Sequence, residues 1–379
     1  MTPAELSRTV LSTVRRAVAA QELLVAVPER VVVQRPPRPG CGDYATNVAL
    51  QLAGPAGCTP RQVAEILSRR LSGEPGIAQV EIAGPGFLNI TLDARAYGDV
   101  VRQVRSQGAE YGRGDGLAGE PARVVADEGA VRGQVVAEVV NRLLRATGAD
   151  PGPPEAPEAP PEAPSGAPPA VPPERVVVEE VPEEFRGAPE RLFRLLGADA
   201  ARWALLRPPA EDVPRTDPGP LLAQRESNPL FRIRYAHART RALLRNAHDL
   251  GVDVETAHTS AAPTGAAHYE PAPAGAAPTH PTPRAPYHHP AETELLGLIA
   301  DFPRVVETAA RRRAPDRVAR HLERLADAFS RFHDECPPLP KGEEKPSAVH
   351  AARIRLADAT GIVLADGLHL LGISAPDRL

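Results

Sequence analysis

Leu6, Val10, Leu11, Val14 and Val18 recur with a helical period, which predicts an amphipathic helix over residues 2–20. A β-branched run at 31–34 predicts a strand, and two further helices are expected over 45–52 and 59–71. The second of these opens with Thr59-Pro60, the pairing of a capping hydroxyl with a first-turn proline. Alternating segments at 77–82 and 87–92, joined by Gly84-Pro85-Gly86, predict paired strands. A compact α+β unit ending near residue 112 follows from this pattern. Beyond it come a short strand over 123–126 and a helix over 132–147. A strand-like run follows at 175–178, and residues 189–206 are apolar enough to be helical.

From Asn228 onward the pattern is helical. Phe231, Tyr235, Ala238 and Ala242 form an i, i+4, i+7, i+11 series that predicts a core face, with Arg234, Arg241 and Arg245 on another side. A helix opening at Pro315-Asp316 carries the apolar stripe Val318, Leu322, Leu325, Phe329 and Phe332. Arg313, Arg317, Arg320, Arg324 and Arg331 make a separate basic stripe on it. Two tracts break the periodicity. Residues 151–174 are almost wholly Pro, Ala, Glu and Gly and read as a semi-rigid linker. Residues 255–290 read as a disordered insertion in the helical region. The histidines there (His258, His268, His280, His288 and His289) lack regular spacing, and no metal site is expected.

Composition changes this picture in two respects. The chain holds 44 prolines among 379 residues, and the two tracts absorb the excess, leaving the rest free to fold. Net charge is −4, so attraction to nucleic acid must come from local basic stripes. The basic residues are nearly all Arg, with Lys only at 341 and 345. Cys41, Cys58 and Cys336 are too few and too scattered for a disulfide framework or a zinc site. No leader and no membrane-length apolar run is found, so a cytoplasmic location with no membrane partner is expected.

Several long motifs carry a resemblance. They are Gly42-Asp43-Tyr44-Ala45-Thr46-Asn47-Val48-Ala49-Leu50 with Val80-Glu81-Ile82-Ala83-Gly84-Pro85-Gly86-Phe87-Leu88-Asn89, then Gly197-Ala198-Asp199-Ala200-Ala201-Arg202. Asn228-Pro229 with Tyr235-Ala236-His237-Ala238-Arg239 follows, and last the terminal run from Gly367 to Leu379. In this order they resemble the arginyl-tRNA synthetase family. The resemblance implies an α+β N-terminal additional domain over 1–112 and a DALR-type, all-α anticodon-binding bundle over 228–379. Between them it implies a remnant of the catalytic-domain start over 113–150, the linker, and a connecting segment over 175–227. It further implies tRNA D-loop contacts at Asp43, Tyr44 and Asn47 and anticodon contacts at Asn228, Tyr235, Arg239 and Leu379. Arg234, Arg241, Arg245, Arg317 and Arg324 are then expected at phosphates.

Each residue also has a structural reading. Asp43 fits a helix N-cap, Tyr44 a half-buried core ring, and the arginine stripes a solvated face. Leu379 stands where the family usually ends in Met, a volume-conserving replacement.

The ATP-binding signatures of class I synthetases are not matched. Aligning Arg132-Gly133 and the following helix places Asp127 and Ala130 where the two histidines of a His-x-Gly-His turn belong, and no lysine-rich loop occurs. The expectation from sequence is therefore a class I Rossmann catalytic domain largely missing. It describes a non-catalytic protein without cofactor, with tRNA as partner, an arginine tRNA by the resemblance, and a full-length synthetase as a further candidate partner. Two alternatives stay open: a divergent or split arginine-tRNA ligase that needs a catalytic partner, and a protein-interaction module that no longer binds RNA.

Overall fold

The computed structural model describes residues 1–36, 41–120, 122–150, 173–252, 254 and 287–379. Most of the linker and of the insertion expected at 151–174 and 255–290 lies outside the described residues, as do His258, His268 and His280.

Helix α1 (Pro3–Ala19) starts with a capping box, in which Thr2 and Glu5 satisfy each other's backbone amides. Strands β1 (Val33–Gln34), β2 (Tyr44–Thr46), β3 (Ile77–Ala83) and β4 (Phe87–Leu92) form an antiparallel sheet in the order β1-β2-β4-β3. Helices α2 (Val48–Ala56) and α3 (Pro60–Leu71) complete the layer with α1, and Leu6, Val10, Val14, Val63, Leu67, Leu88 and Ile90 are completely buried there.

The helix expected over 45–52 is corrected. Tyr44, Ala45 and Thr46 pair with Ile90, Asn89 and Leu88 in a central strand, all three buried, and the helix begins only at Val48. A local pattern too short to show a period took the state its sheet neighbours impose. Asp43 is accordingly not an N-cap. Its carboxylate accepts from the Leu92 amide at 2.8 Å and from the Tyr97 hydroxyl, and Asn47 takes the cap position without its side chain capping a helix amide.

Helix α4 (Ala94–Gln107), absent from the sequence expectations, is capped by Asp93 and joins the two cores. Its Ala96 packs under the sheet, whereas Val100, Val101 and Val104 enter the larger core. Next, β5 (Val124–Val125) and β6 (Glu174–Arg175) pair in parallel around α5 (Val131–Ala146). Helices α6 (Pro189–Leu196) and α7 (Ala198–Leu206) break at Gly197, where one helix was expected. The short α8 (Pro218–Leu222) leads into the bundle of α9 (Pro229–Asp249), α10 (Pro290–Arg311), α11 (Asp316–Glu335) and α12 (Ala348–Leu370).

The apolar stripe of α11 is buried as expected, with Val318, Leu322 and Leu325 at zero exposure. The stripe of α9 is corrected. Its core face is Leu230, Ile233, Ala236, His237, Thr240, Leu243 and Ala247, while Tyr235 is exposed. Gly361 of α12 decides this, because a Cβ there would lie 2.4 Å from the Thr240 hydroxyl. The two helices approach along the small residues, and the larger rings are left outside.

The last residues of the expected insertion are ordered into the bundle. Tyr287 is buried with its hydroxyl donating to Ala352, and His289 caps α10 together with Glu292. Among the described residues no helix is long and apolar enough to cross a membrane.

Candidate nucleic-acid interface

On the outer face of α9, the rings of Phe231 and Tyr235 stack at 5.8 Å with planes 18° apart. The Arg239 guanidinium lies over the Tyr235 ring, 5.8 Å from its centroid. Arg239 also lies 3.1 Å from Nδ1 of His333 on α11. Burial and the Arg239 charge lower the His333 pKa, so the imidazole accepts the guanidinium hydrogen bond. Tyr235 keeps 45% of its surface. Tyr235 is thus a partly exposed ring held between an aromatic neighbour and a cation, chemistry suited to contact with a base and its phosphate.

Next to it, Asn228, Leu230, Phe231, Arg234, Asp199 and Leu379 contribute to a cleft of 350 Å³. Asn228 is 4% exposed and works locally: its side chain caps α9 and donates to the carbonyls of Leu221 and Ala223. Leu379 is exposed and accessible at the cleft rim.

The arginines expected at phosphates divide into two groups. Arg234 bonds Asp199 and Ser374, His237 pairs with the Pro376 carbonyl at 3.0 Å, and Arg241 pairs with Asp377 at 3.2 Å. These contacts pin the C-terminal tail along α9, so Arg234 and Arg241 are already engaged. Arg245 borders a neighbouring recess and is exposed. Arg317 and Arg324 lie elsewhere, on α11, in an exposed groove with Arg304 and Arg320.

In the N-terminal unit, Tyr44 is 2% exposed, and burial raises the pKa of its hydroxyl. Its ring is core and is not presented at the surface. Asp43 is engaged as described above, while Asn47 is half-buried and accepts from Gln51 at 3.2 Å.

The middle of the chain is organised by Arg132. Its five N–H groups donate to the carbonyls of Leu205, Glu179, Asp212, Pro208 and Pro209 at 2.6 to 3.0 Å, and only 1% of it is exposed. The Glu180 carboxylate accepts from the amides of Arg132 and Gly133 at 3.0 and 2.8 Å and thereby caps α5. Asp127 forms an ion pair with Arg175, and Ala130 stands at the N-cap position of α5 with no side-chain group of its own to cap it.

Sequence reasoning missed His333, Phe231 as a stacking partner, and Glu180. The spacing of Phe231 and Tyr235 was visible, but it reads equally well as a core series.

Family comparison agrees with these units. Residues 6–92 match the arginyl tRNA synthetase N terminal domain, and residues 233–379 match the DALR anticodon binding domain. The chain belongs to the arginyl-tRNA synthetase family. Curated arginine–tRNA ligases of Renibacterium salmoninarum and Paenarthrobacter aurescens are 29% and 28% identical, over 574 and 577 aligned positions, each covering 100% of both chains. The fold is similar to that of the Thermus thermophilus arginyl-tRNA synthetase, with TM-score 0.65 at 14% identity over 100% of both chains. The Plasmodium falciparum enzyme superposes with TM-score 0.63 at 9% identity over 100% of this chain.

These findings correct two expectations. The likeness runs from end to end, so the class I catalytic domain is not missing between two tRNA-contacting ends. Physically, the middle is not a bare linker: β5 pairs in parallel with β6, and Val124 of β5 and the buried face of α5 belong to the same core as the bundle. The alignments are nevertheless longer than this 379-residue chain, so the relatives carry stretches for which it has no counterpart. The expectation of a non-enzyme is overturned as well, because the relatives that match over the whole chain are ligases.

One consequence for stability concerns His321 of α11, which is 4% exposed. Burial first, then the Arg324 charge, push its pKa down to about 3. The unfolded chain therefore binds this proton more readily, and the stability tied to the neutral imidazole is lost as pH falls below about 6.5 towards 3. Thermal melts between pH 7 and 4 are expected to show a falling midpoint whose slope is shallower in His321→Gln; equal slopes would remove His321 as the cause.

Proposed function

We propose that this protein is a divergent arginine-tRNA ligase of the split kind, which binds an arginine tRNA and works with a catalytic partner. The observation that carries the reading is the Phe231–Tyr235–Arg239 platform, exposed beside the Leu379 cleft in a bundle that matches an anticodon-binding family. Whole-length similarity to arginine–tRNA ligases supports ligation as the process served.

The need for a partner rests on the chemistry at α5. Class I activation uses two imidazoles against ATP, whereas the corresponding positions here hold Asp127 and Ala130. The first amides of α5 are already taken by Glu180. A partner with ATP-binding groups would supply transition-state charge stabilisation, while this chain supplies tRNA affinity and orientation. A full-length synthetase is one such partner.

Purified protein is expected to bind arginine tRNA in preference to other tRNAs, with a salt-dependent affinity, and to raise arginylation when a full-length arginyl-tRNA synthetase is present at limiting concentration. Absence of binding at low salt would defeat the reading. Tyr235→Ala is expected to cost about 1–3 kcal/mol of tRNA affinity through lost stacking. Arg239→Ala should weaken binding and also free His333. Because Tyr235 lies outside the core, its variant should melt like the parent; unchanged affinity in both folded variants would exclude this platform as the anticodon contact.

A further inference from the structure

The end of α12 meets the middle of the chain at three charged side chains. Glu138 of α5 accepts from Arg142 of the same helix at 2.7 Å through one oxygen and from Arg202 of α7 at 2.8 Å through the other. Arg142 donates from its second terminal nitrogen, Nη1, to the carbonyls of His369 and Leu370 at 3.2 and 3.1 Å. Those carbonyls belong to the last turn of α12. The helix closes there with the Ile373 amide on the Leu368 carbonyl and the Gly372 amide on the His369 carbonyl, with Gly372 at φ +72°.

A Cβ on Gly372 would lie 2.7 Å from Nη1 of Arg202 and 2.9 Å from Nη1 of Arg142. The chain therefore turns between the two guanidiniums, in a space that holds glycine alone. An exposed ion-pair cluster on a helix adds little stability and needs no such fit. Arg202 Nη1 is buried without a hydrogen-bond partner, so among the described residues Glu138 is the group that holds this guanidinium in place.

Beyond the turn the tail runs straight to the cleft. Ser374 donates its amide to Asp199 of α7 at 3.0 Å and its hydroxyl to the same carboxylate. Pro376 and Asp377 are tied to α9 by His237 and Arg241, and Leu379 lines the cleft with Asp199 and Phe231.

We infer that Glu138 is a positioning residue for the tRNA cleft. By fixing Arg142 and Arg202 around Gly372 it sets the direction in which the tail leaves α12, and so the place of Leu379. Helix α5 begins beside Asp127 and Ala130 and is about 24 Å long. Its later turns hold the tail, so one helix joins the activation end of the fold to the cleft. This inference rests on the tRNA-binding reading above.

The test is a double-mutant cycle on the full chain, crossing Glu138→Gln with Leu379→Ala and using an arginine tRNA transcript as the probe. Glutamine keeps the size of the side chain and removes the charge that gathers the two arginines. Because 42% of the Glu138 side chain is exposed, the variant is expected to fold. Each single change should weaken tRNA binding about fivefold, and the double variant hardly more than either, since both act through one contact. A carboxypeptidase should also release Leu379 sooner from Glu138→Gln than from the parent. Parental affinity or an unchanged release rate in folded Glu138→Gln overturns the inference. Losses that multiply to about 25-fold in the double variant overturn it too, because Glu138 then acts independently of Leu379. Failure of Glu138→Gln to fold has the same consequence, since the carboxylate would then be holding the core. Parental affinity in Leu379→Ala leaves nothing to position and overturns the inference while the Tyr235 contact stands. A parent that binds no tRNA removes both readings.

Discussion

Arg132→Met is expected to unfold the middle of the protein, with a loss of at least about 4 kcal/mol in the stability of the larger core. The guanidinium is fully enclosed and spends all five N–H groups on main-chain carbonyls, from Glu179, from Leu205 in the last turn of α7, and from Pro208, Pro209 and Asp212 in the loop after it. Hydrogen bonds from a charged donor are worth about 1.5–3 kcal/mol each, and the acceptors left behind are shut away from water. The two prolines add to the dependence, because neither can donate to a neighbouring carbonyl and so help rebuild the loop. Burial lowers the basicity of Arg132, with Glu180 and Asp212 opposing that shift. Arg132→Lys keeps the charge but offers three donors in the wrong geometry, and should recover little. Denaturant melts followed by the single tryptophan, Trp203 of α7, report on this core directly. A lysine variant as stable as the parent would show that charge alone, and not the fork, holds the loop.

Asp301→Ala is expected to cost about 1–3 kcal/mol and to loosen the N-terminal unit from the bundle. Asp301, on α10, has only 8% of its side chain exposed and meets Arg35 at 3.3 Å and Arg304 at 3.5 Å. Arg35 comes from the N-terminal unit and crosses Gly297 so closely that a Cβ there would lie 1.1 Å from its Nη2. Its Nε is buried without a hydrogen-bond partner, which leaves the carboxylate as its counter-charge. Removing the carboxylate leaves Arg35, one-third exposed, without its counter-charge at the interface, a cost that solvent screens in part. Gly297→Ala should act on the same contact by displacing Arg35. Limited proteolysis should then release a fragment corresponding to the first sheet and its helices sooner than in the parent. Unchanged proteolysis and an unchanged melt for Asp301→Ala would show that apolar packing alone docks the two units.

Several features were legible in the chain. The Thr59-Pro60 start of α3, the β3–β4 hairpin and the buried stripe of α11 follow from local pattern alone. A cap, an alternation and a helical stripe each need only nearby residues and one apolar side, so sequence carries them in full. The long motifs also identified the family, because many residues in order leave little room for coincidence.

Other features depend on partners far away along the chain. Tyr44 is a core strand residue because β4, more than forty residues later, supplies its hydrogen bonds. Arg132 sits in a stretch that reads as the start of an ordinary helix, and its acceptors arrive from a loop some seventy residues downstream. The faces of α9 were misread because Phe231, Tyr235, Ala238 and Ala242 have the same period as the true core positions. Which set faced inward was decided by how closely Gly361 lets α12 approach Thr240. Local propensity and spacing thus determined which elements form and to which family they belong. Burial, the docking of Arg35 on Asp301 and the exposure of the Tyr235 platform were set only by long-range packing, since a side chain's accessibility depends on what the rest of the fold brings against it.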